Sequence, residues 1–305
     1  MKSAIGRFVA WRLCVAAAFV IAVAASAFLL VRLAPGDATT DLAMSRATPS
    51  AIEAARHRLG LDQSALAQLA QWVGGIARLD LGQSSRFGRP VAGLVGESVM
   101  NTAVLAVVAL LIALAGIPLG ILTGSRQHSL FARVIGALSL ALVCCPPIIG
   151  TLALLFFGAA TGWLSIAPGH LVLPALALAL PLAAMLERLQ SQAAAEALHA
   201  PDILAAAARG VPNGRLVWLH AGRHALRSVL GVAGIVMATL FSGSIVVETM
   251  AAWPGIGQLM LKALMSRDLY LVAGCAMAGA ALLAVGNLLA DLLRAALDPR
   301  VVRVS

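Results

Sequence analysis

Charged residues are scarce in this chain of 305 residues: Asp, Glu, Lys and Arg make up 11%, whereas hydrophobic residues make up 61%. The mean hydropathy is +0.94. A soluble domain of this length needs more polar residues to cover its surface, so the composition excludes one. Aromatic residues are also few, at 5%, and the apolar content is mainly Ala, Leu, Val and Ile, which is typical of packed membrane helices. The composition therefore predicts an all-α integral membrane protein.

Motifs for catalysis and for metal or nucleotide binding are also missing. The sequence has no His-Glu-x-x-His, no Gly-x-Ser-x-Gly and no Gly-x-x-x-x-Gly-Lys-Ser/Thr, and its four cysteines have no metal-ligand spacing with a histidine. The predicted membrane spans contain no Asp or Glu. We therefore assign no catalytic residue, metal site or cofactor. An intramembrane enzyme and a proton-coupled secondary transporter are the alternative classes, and each would need reactive or ionisable groups inside the spans.

Six apolar runs approach the roughly 20 residues that a membrane-spanning helix needs. They cover residues 13–31, 99–124, 134–157, 170–186, 228–247 and 270–290. Lys and Arg are concentrated at the N-terminus, at 126–133, at 187–227 and in the C-terminal tail, whereas the opposite short loops hold only Lys262 and Arg267. This bias predicts that both termini are cytoplasmic. The net charge of +9 then reflects topology and contact with anionic lipid headgroups, and we expect no nucleic acid partner.

The spans divide the chain into four parts. Residues 1–31 form a cytoplasmic N-terminus and the first span, and residues 32–98 form a large extracytoplasmic loop. Residues 99–290 form a five-helix core that includes a cytoplasmic segment at 187–227, and residues 291–305 form a cytoplasmic tail. Apolar residues at helical spacing predict two helices in the extracytoplasmic loop, at 52–59 and 64–76.

The cytoplasmic segment contains a short run of strong helix formers, residues 203–208, which is followed by Gly210. Asp202 can place its negative charge at the positive end of the helix dipole. Two interpretations are open. The helix can be a connector that lies on lipid, or it can be a knob that fits a groove on a cytoplasmic partner.

This short helix resembles the coupling helix of binding-protein-dependent ABC importer permeases. Their signature is Glu-Ala-Ala, then three residues, then Gly. The matching positions are Leu204, Ala205, Ala206 and Gly210, with Leu204 in place of the acid. Further motifs in the expected order resemble the dipeptide/oligopeptide/nickel permease family: Arg32 to Asp37, Leu59 to Gln63, Asp80 to Ser84, Arg89 to Val91, Gly116 to Gly120, His170 to Leu180, His224 to Arg227, Asn287 to Leu293 and Ala296 to Arg300.

The resemblance implies a type I ABC importer permease subunit of the bacterial inner membrane that forms half of a translocation pathway. It also implies a second homologous permease subunit, two cytoplasmic ATP-binding subunits that hydrolyse the ATP, and an extracytoplasmic substrate-binding protein. Di- or oligopeptides are the expected substrates. Nickel or a metal chelate is the alternative substrate within the same family.

The stretch between the last two spans contains Val-Val-Glu-Thr and Ala-Trp-Pro-Gly-Ile-Gly, which also match the family. Pro fixes φ and Gly permits a positive φ, so the Trp-Pro-Gly sequence predicts a sharp turn. A short amphipathic helix is predicted to follow. It can be a surface helix held in the headgroup region by its Trp, or a gate element that faces the binding protein. The resemblance implies that these residues contribute to the gate or to binding-protein contact: Glu248, Trp253, Pro254, Gly255, Gly257 and Asp268. The alternative for the two acids is that they are solvated loop charges.

Three features of the spans lead to further expectations. Gly116 and Gly120 are four residues apart, which predicts close helix packing. Single polar residues such as Asn101 and Thr102 predict interhelical hydrogen bonds rather than ligand contacts. Residues 100–104 and 144–147 depart from the family pattern near its pathway.

Overall fold

The computed structural model describes residues 2–33, 63–76, 78 and 80–297. Within this part of the chain the structure is helical, apart from an isolated bridge between Gln83 and Pro90 and the connecting turns. A short helical turn, Asn213–Arg215, and the π-helical turn that follows it, Leu216–Ala221, connect two longer helices. The helices in chain order are α1 Lys2–Leu33, α2 Ala65–Ile76, α3 Val91–Ala113, α4 Gly116–Ser125, α5 Leu130–Cys144, α6 Pro147–Thr161, α7 Val172–Leu198, α8 Pro201–Ala208, α9 Gly222–Gly231, α10 Ala233–Met250, α11 Ile256–Met265 and α12 Leu269–Leu297.

The predicted all-α membrane fold is confirmed. Five apolar stretches of helix are long enough to cross a membrane, and the pair α5 and α6 makes a sixth if it crosses as one span. The five stretches are Ala10–Leu33, Val91–Ser125, Val172–Leu198, Ala233–Met250 and Leu269–Ala295.

The third predicted span, residues 134–157, is not one straight helix. It is divided between α5 and α6, whose axes are bent by 110°. The break lies at Cys145 and Pro146, which both have extended backbone, with ψ values of 119° and 141°. Proline lacks an amide hydrogen and disfavours helical backbone in the residue before it, so two consecutive prolines end α5 and start α6. Pro147 is the first residue of α6, where proline is well tolerated.

Two predicted spans end before their helices do. The span predicted at 170–186 lies mainly in α7, which continues to Leu198. The span predicted at 228–247 begins in α9, crosses the break at Val232 and lies mainly in α10, which continues to Met250. Glu187 and Glu248 each lie one residue beyond the predicted end, inside the helix, and are 2% and 0% exposed. The prediction that no span contains Asp or Glu is therefore wrong. A carboxylate lowers the hydropathy of a segment without ending the helix, because glutamate is a good helix former.

The described chain consists of two compact units, and each has its own core. The first is Met1–Ala103 with Pro254–Val285, and the second is Val104–Trp253 with Gly286–Ser305.

The first unit is centred on aromatic side chains. Phe28 of α1 stacks on Trp72 of α2 with ring centroids 5.7 Å apart, and the Trp72 indole donates a hydrogen bond to the carbonyl of Leu81 over 3.1 Å. Helix α2 begins where the sequence predicts, because the Ser64 hydroxyl accepts a hydrogen bond from the amide of Ala67 and caps the first turn. The other predicted loop helix, at 52–59, lies outside the described residues.

The second unit is organised by a close approach of α4 to α7. Gly116, Gly120 and Gly124 follow one another at four-residue spacing along α4. A Cβ atom at Gly120 would lie 2.5 Å from the carbonyl oxygen of Glu187, and Cβ atoms at the other two would meet backbone oxygens of α7 even more closely. The predicted close packing at Gly116 and Gly120 is confirmed, and Gly124 extends it by one further turn.

Replacement of Gly120 by Ala should destabilise the folded chain, because the added methyl group meets the rigid backbone of α7. We expect Gly120→Ala to lower the melting temperature of the detergent-purified protein by about 5 °C, which corresponds to about 2 kcal/mol of overpacking. Gly279→Ala is the matched control, since a Cβ atom at Gly279 of α12 has no neighbour within 4 Å. Equal melting temperatures for the two variants would contradict the proposed role of the close approach.

Candidate functional site

Helix α8 is anchored to the second unit along one side. Ile203 and Ala206 are each 3% exposed and pack with Leu216 and Ala221 of the π-helical turn. These contacts form a narrow apolar core between the short helix and the turn. Burial of small side chains holds α8 close to its support and fixes the direction of the helix.

The other side of α8 faces away from this core. Leu204 is 54% exposed, and Ala205 is also exposed. Of the four residues that match the coupling signature, Ala206 therefore anchors the helix, whereas Leu204, Ala205 and Gly210 lie on its accessible surface. The result is a small apolar projection in which Leu204 is the largest side chain of the signature.

The start of α8 is fixed by its sequence. Pro201 occupies the first turn, and Ala200 before it has extended backbone. Asp202 also lies in the first turn, where the helix dipole favours a negative charge, and its carboxylate lies 3.6 Å from the imidazole of His224.

The end of α8 is a Schellman motif. Gly210 has a φ of +84°, which is favourable for glycine and strained for most other residues. The amide of Gly210 donates to the carbonyl of Ala207 over 2.9 Å, and the amide of Val211 donates to the carbonyl of Ala206 over 3.3 Å. This hydrogen-bond pattern satisfies two carbonyls at the helix end and gives the chain a defined exit direction.

The Trp-Pro-Gly loop turns differently from the prediction. Gly255 has an extended backbone with a φ of −99°, and the residue with positive φ is Ala252, at 51°. Proline at 254 restricts the residue before it to extended conformations, so the turn occurs earlier in the chain. The predicted helix after the loop is α11, and Gly257 lies buried in its first turn.

Two polar residues of α3 hold this loop in the first unit. The Asn101 amide donates to the carbonyl of Pro254 over 2.9 Å, and the amide of Ile256 donates to the Thr102 hydroxyl over 2.8 Å. The second bond satisfies one of the unpaired amides at the start of α11. The predicted interhelical hydrogen bond is confirmed for Thr102, whose partner is the first residue of α11, whereas Asn101 bonds to the loop before that helix. Their partners lie about 150 residues along the chain, so short-range sequence signals could not identify them.

Asp268 is a buried structural carboxylate in the first unit. It is 1% exposed and precedes α12, where one oxygen accepts the amide of Leu271 over 3.2 Å. The other oxygen accepts the Ser84 hydroxyl over 2.6 Å and the amide of Arg86 over 3.1 Å. The carboxylate therefore caps α12 and fixes the segment before α3, with further stabilisation from the helix dipole.

Glu248 belongs to the second unit and is fully buried in α10. Its carbonyl accepts the amide of Trp253 over 2.9 Å, and Trp253 is itself buried. Neither Glu248 nor Asp268 is a solvated loop charge, so that alternative is wrong for both residues.

An apolar cavity of about 460 Å³ lies within the second unit between α6, α7 and α10. No charged side chain lines this cavity, and the polar groups of its lining side chains are the hydroxyls of Thr239 and Ser242. The lining residues are Pro147, Ala177, Leu178, Pro181, Leu182, Ala238, Thr239, Leu240, Ser242, Gly243 and Val246.

Two family models match the sequence. One is described as binding-protein-dependent transport system inner membrane component and matches residues 116–303. The other describes the N-terminal part of the same membrane component and matches residues 5–114. The chain belongs to this family. This permease is therefore a multi-pass protein of the inner membrane, and helix α8 lies inside the matched region.

Similar proteins carry names that agree with the family. A protein of Brucella abortus, named as a peptide transport system permease, is 34% identical over 294 residues, which cover 92% of this chain and 93% of that protein. The oligopeptide transport system permease protein AppB of Bacillus subtilis is 29% identical over 291 residues, covering 90% of this chain and 92% of the relative. A peptide ABC transporter permease of Sinorhizobium fredii is 30% identical, with 90% and 92% covered.

Removal of the Asp268 carboxylate should weaken the first unit of the permease. Asp268→Ala leaves the Ser84 hydroxyl and the Arg86 amide without their acceptor and removes the cap of α12. We expect a loss of about 3 kcal/mol of stability, because hydrogen bonds to a buried charge are worth about 1.5–3 kcal/mol each. Thermal denaturation of the detergent-purified chain measures this loss of stability.

The control for this variant is Glu97→Ala. Glu97 pairs with Arg89 over 3.3 Å in an exposed position, and exposed ion pairs contribute roughly 0–1 kcal/mol. Asp268→Asn should give an intermediate loss, since it keeps one acceptor oxygen. If Asp268→Ala and Glu97→Ala melted alike, the buried carboxylate would not have the structural role described above.

Proposed function

We propose that this chain is one of two membrane-spanning subunits of an ATP-driven importer of di- or oligopeptides. The observation that carries the proposal is α8, a rigid projection at the position of the family's coupling signature, with Leu204 exposed and Ala206 anchored. The names of the relatives from Brucella, Bacillus and Sinorhizobium support peptides as the substrate class.

In the proposed mechanism, two cytoplasmic ATP-binding subunits bind α8 of this chain and of its homologous partner subunit. Helix α7 runs without interruption to Leu198, and α8 begins three residues later at Pro201. A displacement of α8 by the ATPases is therefore transmitted to a membrane-spanning helix through a short connection. Alternating access requires such an element, because both the ATPases and the substrate must bias the same two-state equilibrium.

The cavity of the second unit is the proposed contribution of this chain to the substrate pathway. It lies between α7, which leads to α8, and α10, and its wall is apolar except for two hydroxyls. An uncharged wall does not select for one side-chain charge, which suits a substrate with a constant backbone and variable side chains. The two hydroxyls can exchange hydrogen bonds with peptide groups as they pass.

The orientation follows the distribution of Lys and Arg, with both termini and α8 on the cytoplasmic side. The Trp-Pro-Gly loop and α11 then lie on the outer side, where an extracytoplasmic substrate-binding protein delivers the peptide. Among the gate residues proposed from the sequence, Pro254 is exposed, so it is available for contact with that protein. Gly255, Gly257 and Asp268 are buried in the first unit and would support the loop from within, and Glu248 and Trp253 are buried in the second unit.

The first test of the proposal is the composition of the complex. The tagged chain is purified from its own host in mild detergent, and the proteins that accompany it are identified by mass spectrometry. We expect two ATP-binding subunits and one homologous permease for each copy of this chain. A chain that purifies alone, from membranes that contain such ATPases, would contradict the proposal.

A second test addresses α8 directly. Gly210→Asp places a negative charge at the end of the docking helix, and we expect peptide uptake to fall about tenfold while ATP hydrolysis continues, because loss of contact affects coupling rather than the nucleotide site. Gly210→Asn is the matched control, since Asn tolerates the left-handed backbone at this position without adding a charge. Uptake and ATP hydrolysis are measured in proteoliposomes that contain the complete transporter. Normal peptide uptake by the Gly210→Asp variant would contradict the proposed docking of α8 on the ATP-binding subunits.

A further inference from the structure

Three polar side chains are buried together between α4 and α7. Thr123 and Glu187 are each 2% exposed and Gln190 is 0% exposed. The Thr123 hydroxyl donates a hydrogen bond to Oε1 of Glu187 over 2.6 Å. Oε2 of Glu187 and both polar atoms of the Gln190 amide have no hydrogen-bond partner in the described part of the chain. Buried polar atoms are costly without partners, so three such atoms in one place point to a missing ligand.

Glu187 and Gln190 lie beside the same turn of α4. A Cβ atom at Gly120 would lie 2.5 Å from the carbonyl oxygen of Glu187 and 2.7 Å from Cβ of Gln190, so both residues flank the same glycine. Residues three apart on a helix lie on one face. Thr123 is one turn further along α4 and contacts the same carboxylate. The close approach of the two helices therefore creates the cluster.

A cavity of about 210 Å³ adjoins this cluster, and Thr123 and Glu187 form part of its wall. Its volume exceeds that of one water molecule, which is about 30 Å³ in the liquid. Hydroxyl and amide groups are frequent in the lining, which consists of Thr123, Gln127, Ala132, Gly136, Glu187, Arg188, Ser191 and Gln192.

Arg188 does not pair with the free oxygen of Glu187. Its guanidinium donates to the carbonyl of Gly136 on α5 over 3.4 Å, and Oε2 of Glu187 is left without a donor. Successive residues of a helix point about 100° apart, so neighbouring side chains at 187 and 188 approach different partners. Oε2 of Glu187 thus remains available to a ligand, while Arg188 lies in the wall of the same cavity.

The donor set indicates which ligand fits. A carboxylate, a hydroxyl and an amide carbonyl are hard oxygen donors, which suit alkali and alkaline-earth cations rather than transition metals. The cluster has a single carboxylate, and the described residues contain no group of three or more His, Cys, Asp or Glu side chains that could hold a metal ion.

We propose that Glu187, Gln190 and Thr123 form a buried binding site for a single monovalent cation, sodium or potassium. The cation is bound by Oε2 of Glu187 and by the amide oxygen of Gln190, with water from the adjoining cavity completing its shell. Occupancy of the site stabilises the α4–α7 pair. The proposal does not depend on the importer function, because it concerns a ligand of the folded chain.

The test is direct binding of radioactive sodium to the full chain, purified with its accompanying subunits and reconstituted in lipid nanodiscs. We expect saturable binding of about one ion per chain that excess potassium displaces and that excess choline does not, because the site is buried and small. In the same samples, sodium or potassium should raise the melting temperature relative to choline at equal ionic strength, because a ligand that binds the folded state stabilises it. Absence of saturable binding to the unmodified protein would overturn the proposal, and it would leave the co-purification test unaffected.

Variants locate the site. Glu187→Gln keeps the volume and the acceptor for Thr123 but removes the charge, and we expect it to weaken sodium binding at least about tenfold. Gln190→Leu should weaken sodium binding less than Glu187→Gln does, because the ligand oxygen that it removes carries no charge. The matched control is Glu196→Gln, which neutralises an exposed glutamate on the same helix α7 and should bind sodium normally. Equal loss in the Glu187 and Glu196 variants, or full binding by Glu187→Gln, would show that the ion is bound elsewhere and would overturn the assignment.

Discussion

The contact on which much of the second unit depends is the close approach of α4 to α7. In lipid the hydrophobic effect does not draw helices together, because the surrounding hydrocarbon is as apolar as their side chains. Association therefore depends on the quality of packing and on interhelical hydrogen bonds. Gly116, Gly120 and Gly124 allow the two backbones to meet at a distance that no side chain would permit. The same contact shields Glu187 from the surroundings and positions the long helix that leads to α8.

Helix ends carry most of the specific polar chemistry of this chain. The start of α12 is capped by Asp268, the start of α11 by the Thr102 hydroxyl, and the end of α8 by the Schellman turn at Gly210. In each case an unpaired amide or carbonyl of the helix receives a defined partner. The caps of α12 and α8 are local, whereas the cap of α11 comes from a residue 154 positions away in the chain. The need for such a partner explains why the loop before α11 has so specific a sequence.

The sequence predicted the features that depend on local patterns. Hydrophobic runs indicated the membrane helices, Ser64 indicated the start of α2, and the spacing of Gly116 and Gly120 indicated close packing. Features that depend on distant contacts were not predictable: no local signal connects Asn101 to Pro254, or Ser84 to Asp268. The break between α5 and α6 is different, because its cause is visible in two consecutive prolines and was outweighed by the hydropathy of the run. Hydropathy also ended two predicted spans directly before a buried glutamate, Glu187 or Glu248, although both helices continue beyond it.

The buried carboxylates Asp268 and Glu187 show how one energetic rule leads to two roles. An ionised group can be kept out of water only if hydrogen bonds or opposite charge replace its hydration. Asp268 has donors on both oxygens, supplied by Ser84, Arg86 and Leu271, so its environment is complete and its role is structural. Glu187 has a donor on one oxygen alone among the described residues, and beside it lies an amide with no partner. The difference lies in the surroundings and not in the residue type, and it is why the second carboxylate, rather than the first, has the character of a binding site.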